Sequence, residues 1–348
     1  MRSILVTGGC GFIGSNFVRL LAADPQWRVI NFDKLTYAGN LENLADVSVE
    51  RMRFVRGDIR DRALVETILQ EEKPWAIVNF AAESHVDRSI LNASPFVDTN
   101  IAGVQTLLEV VRTHPIERFL HISTDEVYGD KEGVESATES APLLPSSPYA
   151  ATKAAADLLC FSYRRTYGVP VLVTRSSNNY GPYQFPEKLI PLLIRNGLNG
   201  IDFPVYGDGR QIRDWLYVED NCRGILAVLE RGRIGSIYNI GTSEDRTNLD
   251  VIQRICAVLA GRLNIDVDQL TERIRLVTDR PGHDRRYAID TARIRNEIGW
   301  QPCMEFDRGL KQTVNWYLDH SEWIDQVTSG EYRKYYDTVY SKAWGRLA

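Results

Sequence analysis

The 348-residue sequence has no apolar run long enough to cross a bilayer, no tract of like charges, no low-complexity segment and no internal repeat. A membrane-spanning helix, a charged tail and a solenoid are thereby excluded. Its cysteines are few and scattered: Cys10, Cys160, Cys222, Cys256 and Cys303 form no Cys-x-x-Cys pair, and the five histidines do not cluster. Neither a disulfide framework nor a metal site is expected, so the thiols read as reduced and buried. Charge of either sign is not in large excess, with 41 Lys+Arg against 46 Asp+Glu. This balance speaks against bulk nucleic-acid binding and leaves room for a local basic pocket. The first strand-like segment, Ile4–Thr7, lacks the basic flank and long apolar stretch of a signal peptide, so a cytoplasmic protein with no membrane partner is expected.

What is present is ordinary for a globule, 44% apolar and 25% charged, and the length suits two domains or one with an elaboration. Short β-rich runs at Ile4–Thr7, Val29–Phe32, Arg53–Val55, Ala76–Phe80, Phe119–Ser123 and Val171–Thr174 alternate with helical spacing, as in Phe12–Leu21 and Val104–Val111. Alternation of this kind predicts an α/β fold of Rossmann type, a doubly wound parallel sheet with helices on both faces. After Asn178 the pattern loosens, and Pro182, Pro186, Pro191 and Pro204 are expected to interrupt regular structure. Helical spacing returns at Val218–Glu230, Leu249–Leu259 and Thr291–Ile298, assigned to a smaller, interleaved C-terminal domain. The division expected is 1–177, with returning segments near 212–242, for a dinucleotide domain, and 178–211 with 243–348 for a substrate domain.

Gly8, Gly11 and Gly14, in Thr7-Gly-Gly-Cys-Gly-Phe-Ile-Gly14, follow the first strand and open the first helix. Such glycines permit a tight turn and let a helix N-terminus approach a pyrophosphate. Asp33 ends the second strand, 19 residues after Gly14, where a carboxylate accepts from an adenosine ribose and repels a 2′-phosphate. NAD is therefore favoured over NADP, with Lys34 beside Asp33 weakening that preference slightly.

Tyr149 and Lys153 stand at i and i+4, on one face of a helix. An ammonium near a phenol is expected to lower its pKa and make it a base for a sugar hydroxyl. Such pairs are common on amphipathic helices; Thr124, 25 residues upstream at the end of the fifth strand, places this one at a ligand-binding sheet edge. With Thr124, Tyr149 and Lys153 the sequence resembles the extended short-chain dehydrogenase/reductase superfamily. Asp125 and Glu126 follow Thr124 directly. Hydride transfer alone needs neither, whereas eliminating water beside a new ketone needs both a base and an acid.

The motif Ser123-Thr-Asp-Glu-Val-Tyr-Gly129 resembles that of the dTDP-glucose 4,6-dehydratases. The likeness extends through Lys34-Leu-Thr-Tyr-Ala-Gly-Asn40, Ala81-Ala-Glu-Ser-His-Val-Asp-Arg88, Ser177-Asn-Asn-Tyr-Gly-Pro-Tyr-Gln184, Arg213-Asp-Trp215 and Asp279-Arg-Pro-Gly-His-Asp284. The resemblance implies NAD contacts at Phe12, Ile13, Asp33, Lys34, Leu35, Thr36, Asp58, Ile59, Ala81, Ala82, Ser84, Thr99, Tyr149, Lys153 and Asn179. It implies nucleotide-sugar contacts at Ser84, Thr124, Asn178, Lys188, Leu189, Pro204, Tyr206, Arg213, Asn248, His283 and Tyr287. Arg213 also makes sense alone, since a guanidinium matches a diphosphate, although pairing with Asp214 or Asp220 is the plain alternative. Asn178-Asn179 could be a mere turn, and a lone His85 or His283 would ordinarily be structural. The family's chemistry would have Tyr149, with Thr124 and Lys153, remove the C4 hydroxyl proton, Glu126 take the C5 proton and Asp125 protonate the departing C6 hydroxyl. NAD would be regenerated and stay bound.

Departures from the family pattern are a short Asp130–Ser147 segment, as in actinomycete-type relatives, Ser176 in place of a frequent Cys, and Pro281. They bear on the lid and the nucleotide more than on the reaction. The resemblance also implies a homodimer built on Ile101–Arg112 and Ala150–Tyr167. The alternatives are a UDP-glucose 4,6-dehydratase, a 4-epimerase, which has no use for Asp125 and Glu126, a UDP-glucuronate decarboxylase, a GDP-mannose dehydratase, which normally keeps the Glu without the Asp, and a non-enzymatic NAD-sensing module, which the intact Thr124, Tyr149 and Lys153 argue against.

Overall fold

The structure is a computed structural model that describes residues 1–328. Residues 329–348, part of the expected second domain, lie outside the described residues. Along the chain come β1 (Arg2–Thr7), α1 (Phe12–Ala22), β2 (Trp27–Asp33), β3 (Met52–Arg56), α2 (Arg62–Glu72) and β4 (Ala76–Asn79). Next, α3 (Val86–Leu91) and the single turn α4 (Ser94–Phe96) lead through a π-helical stretch, Val97–Gly103, into α5 (Val104–Thr113). The regular helix expected over Ile101–Arg112 thus begins wide and tightens only at Val104. Then follow β5 (Arg118–Thr124), α6 (Pro148–Tyr167), β6 (Val171–Ser176) and β7 (Asn178–Tyr180). The remainder is α7 (Leu189–Leu198), β8 (Phe203–Tyr206), β9 (Ile212–Tyr217), α8 (Val218–Arg231), β10 (Ile237–Ile240), β11 (Asp245–Thr247), α9 (Asn248–Leu263), α10 (Asp268–Thr271), β12 (Ile274–Val277), α11 (Phe306–Asp319) and α12 (Ser321–Val327).

Seven strands form one sheet in the order β10-β6-β5-β4-β1-β2-β3, and every pairing in it is parallel. Parallel strands are covered on both faces, and successive side chains alternate between them. Ile4 and Val6 accordingly pack with Phe17 and Val18 of α1 and with α8. Leu5 packs on the opposite face among residues of α2, α5 and α6. Phe17 is fully buried, its ring 5.2 Å from that of Phe80, so Phe17→Ala would cost about 3–5 kcal/mol through lost burial and the cavity left.

A second core gathers α7, α9, α11 and α12 around Tyr180, Phe203 and Trp215, beside a three-stranded sheet, β11-β9-β7, and a two-stranded one, β12-β8. The chain crosses between the cores more than once. Helix α8, within the segment near 212–242 expected to return to the dinucleotide domain, packs into the large-sheet core, as does the turn through Ile294, Ile298 and Trp300. Two of the prolines also differ from expectation. Pro191 lies in the first turn of α7, where no N–H partner is lost, and Pro204 lies within β8 of the two-stranded sheet. Among the described residues no helix is long and apolar enough to cross a membrane.

The sheet order reverses about β1, whose neighbours are β2 and β4. In an open parallel sheet this switch point, at the C-terminal strand ends, is where a ligand crevice forms.

Candidate active site

At the end of β1 the chain turns at Gly8, with φ +70°, a left-handed conformation that an L side chain resists. A Cβ on Gly8 would run into the Ala81 backbone, and one on Gly14 into the Gly8 carbonyl. Gly11 precedes α1 with no side-chain cap, so the first N–H groups of the helix face the crevice. Asp33, buried at the end of β2, accepts from the Leu35 N–H at 2.8 Å and the Cys10 N–H at 2.9 Å. Burial pushes its carboxyl up, and these two N–H groups pull it back. Lys34 pairs with Asp58 at 2.9 Å, so its cation is engaged rather than offered to a 2′-phosphate. Burial pushes the Asp58 carboxyl up, but Arg60 and Lys34 outweigh it and hold Asp58 well below the usual range.

One cleft runs from this turn to the end of β5. Gly8, Gly11, Phe12, Ile13, Gly14, Asp33, Lys34, Thr36, Asp58, Ile59, Ala81, Ala82, Ser84, Thr99, Tyr149, Lys153 and Asn179 all line it, as do Thr124, Asp125, Glu126, Asn178 and Lys188. An uncapped helix end for a pyrophosphate and a carboxylate for a diol, set in one crevice, fit a dinucleotide. Leu35 is not in the lining; its backbone, at φ +58°, serves Asp33 instead.

Thr124 closes β5, and Asp125–Tyr128 turn at once in a short 3-10 helix. The Thr124 hydroxyl accepts from the Glu126 N–H and donates to Asp125 Oδ1, each at 3.3 Å. Asp125 Oδ2 and Glu126 Oε2 are buried without a hydrogen-bond partner among the described residues. Burial raises both carboxyls, but their neighbours differ. Asp125 is pushed well up by burial and further by Glu126 and Asp214. Glu126 is raised by burial and opposed by Arg280, Lys188 and Arg213. Of the two carboxyls, Asp125 is the one its surroundings make the more readily protonated.

Helix α6 opens with Pro148 at its first position, and the Ser147 hydroxyl accepts from the Ala150 N–H at 3.1 Å. That start brings Tyr149 to the cleft beside Thr124. Lowering of the phenol by Lys153, expected from spacing, is not what the structure has. Burial and the Glu126 charge raise Tyr149, and only a hydrogen bond with Thr124 opposes them. Lys153, itself lowered to about 8 by burial, donates to the Ile122 carbonyl at 2.6 Å.

Arg213 is buried and donates to the Ile212 and Asp284 carbonyls, its guanidinium 4.1 Å from the centre of the Tyr287 ring. It makes no ion pair with Asp214 or Asp220. Asp214 accepts from the Thr242 and Ser243 N–H groups, and Asp220 from those of Cys303 and Met304. His283 is held near 4 by burial and by the Arg280 cation, against Asp279 at 2.6 Å, so it is neutral and lies edge-on to Tyr206. Tyr206 donates to Asp87 at 3.0 Å, and Lys188 to the Ser84 carbonyl at 3.1 Å. Asn178 and Asn248 each bury a side-chain oxygen with no partner among the described residues. Leu189 packs into the second core and Pro204 is buried in β8; neither they nor Asn248 line the cleft.

Sequence reasoning missed two groups. Arg280 pairs with Asp87 at 3.0 Å and bears on Glu126, although its motif was in view. Glu187 lines the cleft, accepts from the Tyr37 hydroxyl at 3.1 Å, and is pushed up to about 7 by burial. No spacing signal singled it out.

The sequence matches the family described as GDP-mannose 4,6 dehydratase over residues 5–313. A dTDP-glucose 4,6-dehydratase of Xanthomonas campestris pv. campestris (strain B100) is 51% identical over 344 residues, covering 96% of this chain and 98% of the relative. The dTDP-glucose 4,6-dehydratase 1 of Escherichia coli (strain K12) is 48% identical over 356 residues, covering 97% and 98%. Among solved structures, DesIV, a dTDP-glucose 4,6-dehydratase of Streptomyces venezuelae with NAD and TYD bound, is similar at a TM-score of 0.88 with 49% identity, covering 94% of this chain and all of that one.

Proposed function

The chain belongs to the dTDP-glucose 4,6-dehydratase family of extended short-chain dehydrogenases/reductases, and from that premise we infer that it dehydrates dTDP-glucose to dTDP-4-keto-6-deoxyglucose, using NAD. The observation that carries this reading is the adjacent pair Asp125 and Glu126 beside Tyr149 in the cleft, Asp125 pushed further up by neighbouring carboxylates and Glu126 held back by neighbouring cations. NAD, when bound, would supply the hydride acceptor for C4 and the hydride donor for C6. The uncapped start of α1 would hold its pyrophosphate and Asp33 its adenosine ribose.

Tyr149, hydrogen-bonded with Thr124, which offsets part of the burial that raises the phenol, takes the proton of the C4 hydroxyl. Once C4 is a ketone, C5–H is acidic. Glu126, set beside three cations, takes that proton, while Asp125, the more readily protonated of the two, supplies one to the C6 hydroxyl, which leaves as water. Glu126 then returns a proton to C5. Arg213 is the guanidinium for the substrate diphosphate, and Asn178, Lys188, Tyr206, His283 and Tyr287 serve the rest of the nucleotide sugar. A 4-epimerase would have no work for the Asp125–Glu126 pair.

The protein works as a homodimer in the cytoplasm. Exposed Val97, Leu158 and Tyr167, on the π-helical stretch and on α6, are the apolar surface a second copy would cover. Incubation with dTDP-glucose and UDP-glucose separately, each product followed by mass, tests the activity. Loss of water from dTDP-glucose is expected; an unchanged mass from both sugars would refute the reading.

A further inference from the structure

Positions 149, 153 and 157 stand four residues apart, so the face of α6 that carries Tyr149 and Lys153 continues inward to Asp157. Lys153, Asp157 and His121 are all buried, and a buried ammonium is costly without an opposite charge. Lys153 Nζ lies 3.3 Å from His121 Nε2, which is 3.9 Å from Asp157 Oδ1. That carboxylate oxygen has no hydrogen-bond partner among the described residues. The other, Oδ2, accepts from Arg175 Nε at 2.9 Å, and Arg175 also donates to the Tyr128 hydroxyl. His121 is held in turn by Asn79 at 3.1 Å, and Asn79 by Thr7 at 2.5 Å. Lys153 is thus faced by Tyr149, Asp157 and Cys160 from its own helix, His121 from β5 and Arg175 from β6, with Asp125 and Glu126 beyond Tyr149.

We propose that Asp157 is a positioning residue for the oxidation step, supplying through the His121 gap the counter-charge that keeps Lys153 an ammonium next to Tyr149. The proposal rests on the oxidation assigned above to Tyr149. Burial pulls Lys153 down, and Asp157 is the foremost influence raising it. His121 is kept neutral by burial and by Lys153, so it separates the two charges without cancelling either. With Asp157 tied to Arg175, one net positive charge remains in this buried group.

Loss of the Asp157 charge leaves Lys153 and Arg175 as two buried cations, and Lys153 sheds its proton at lower pH. In lysine-13Cε-labelled protein, with the Lys153 signal identified through Lys153→Met, Asp157→Asn should move the Lys153 titration down by about one unit or more. The alkaline limb of the pH profile for C4 oxidation should move with it. Arg175→Gln, which frees Asp157 to serve Lys153 alone, should move both upward, and Asp157→Glu should restore the wild-type position. A merely structural role would instead lower the rate at every pH and leave the limb in place. An unmoved Lys153 titration, or shifts of one direction in Asp157→Asn and Arg175→Gln alike, would overturn the proposal, and Arg175→Gln carries the test if Asp157→Asn does not fold. The titration needs no turnover, so a protein that failed to dehydrate dTDP-glucose would refute the functional reading and leave this one to be judged by NMR.

Discussion

Replacing Glu126 by Gln preserves shape and removes the base assigned to C5. A positioned general base contributes about 10²–10⁴ in rate. At about 1.4 kcal/mol per factor of ten this amounts to roughly 3–5 kcal/mol on the elimination barrier. The same substitution acts oppositely on the first step, because the Glu126 charge is one of the influences that hold the Tyr149 phenol up. With that charge gone, C4 oxidation should proceed at least as readily as before. Glu126→Gln mixed with dTDP-glucose should therefore build up reduced nicotinamide absorbance on the enzyme while dehydrated product forms at least about 10²-fold more slowly. Asp125→Asn should behave alike, since it removes the proton for a poor leaving group, held on Asp125 by burial and by the Glu126 and Asp214 charges. Tyr149→Phe, defective before hydride transfer, should show no build-up. Wild-type turnover by Glu126→Gln, or build-up in Tyr149→Phe, would refute the division of labour.

Gly14→Ala would drive a Cβ into the Gly8 carbonyl, so the purified variant should release far less NAD on denaturation than the wild type; equal NAD content would show that the turn tolerates the change. Glu187, raised from 4.5 to about 7 when folded, contributes stability below pH 4.5 that fades as pH rises through about 7. Glu187→Gln should therefore gain stability relative to wild type across that window, by on the order of 1–3 kcal/mol in urea unfolding, and an offset independent of pH would argue against it. Light scattering at micromolar concentration should return the mass of a dimer, and a monomer would contradict the assignment of Val97, Leu158 and Tyr167 to an interface.

The large sheet was legible where strands are buried on both faces, because Ile4–Val6, or Phe119–Ile122 interrupted only by the buried His121, then read as near-continuous apolar runs. Its edge strand β10 was not, since Ile237–Ile240 is short and buries Asn239, whose amide bonds the Ala137 and Asp290 carbonyls. Pro191 and Pro204 read as breaks, yet a first helical turn and a two-stranded sheet tolerate proline. The site was legible through Thr124, Tyr149 and Lys153, whose spacing follows from strand end and helix turn. The direction of the Tyr149 shift was not, because it depends on burial and on Glu126, which only the folded chain brings against the phenol. Arg280 and Glu187 acquire their roles from neighbours distant in sequence, Asp87 and Tyr37, and spacing carries no trace of such contacts.

Oxidation at C4 followed by return of the same hydrogen to C6 is the centre of this account, and a substrate labelled there tests it in one measurement. dTDP-glucose carrying deuterium at C4 should give a dehydrated product with that deuterium on C6 and a C5 hydrogen drawn from solvent. Deuterium lost to solvent, or still on C4 in a product that has kept its water, would contradict it.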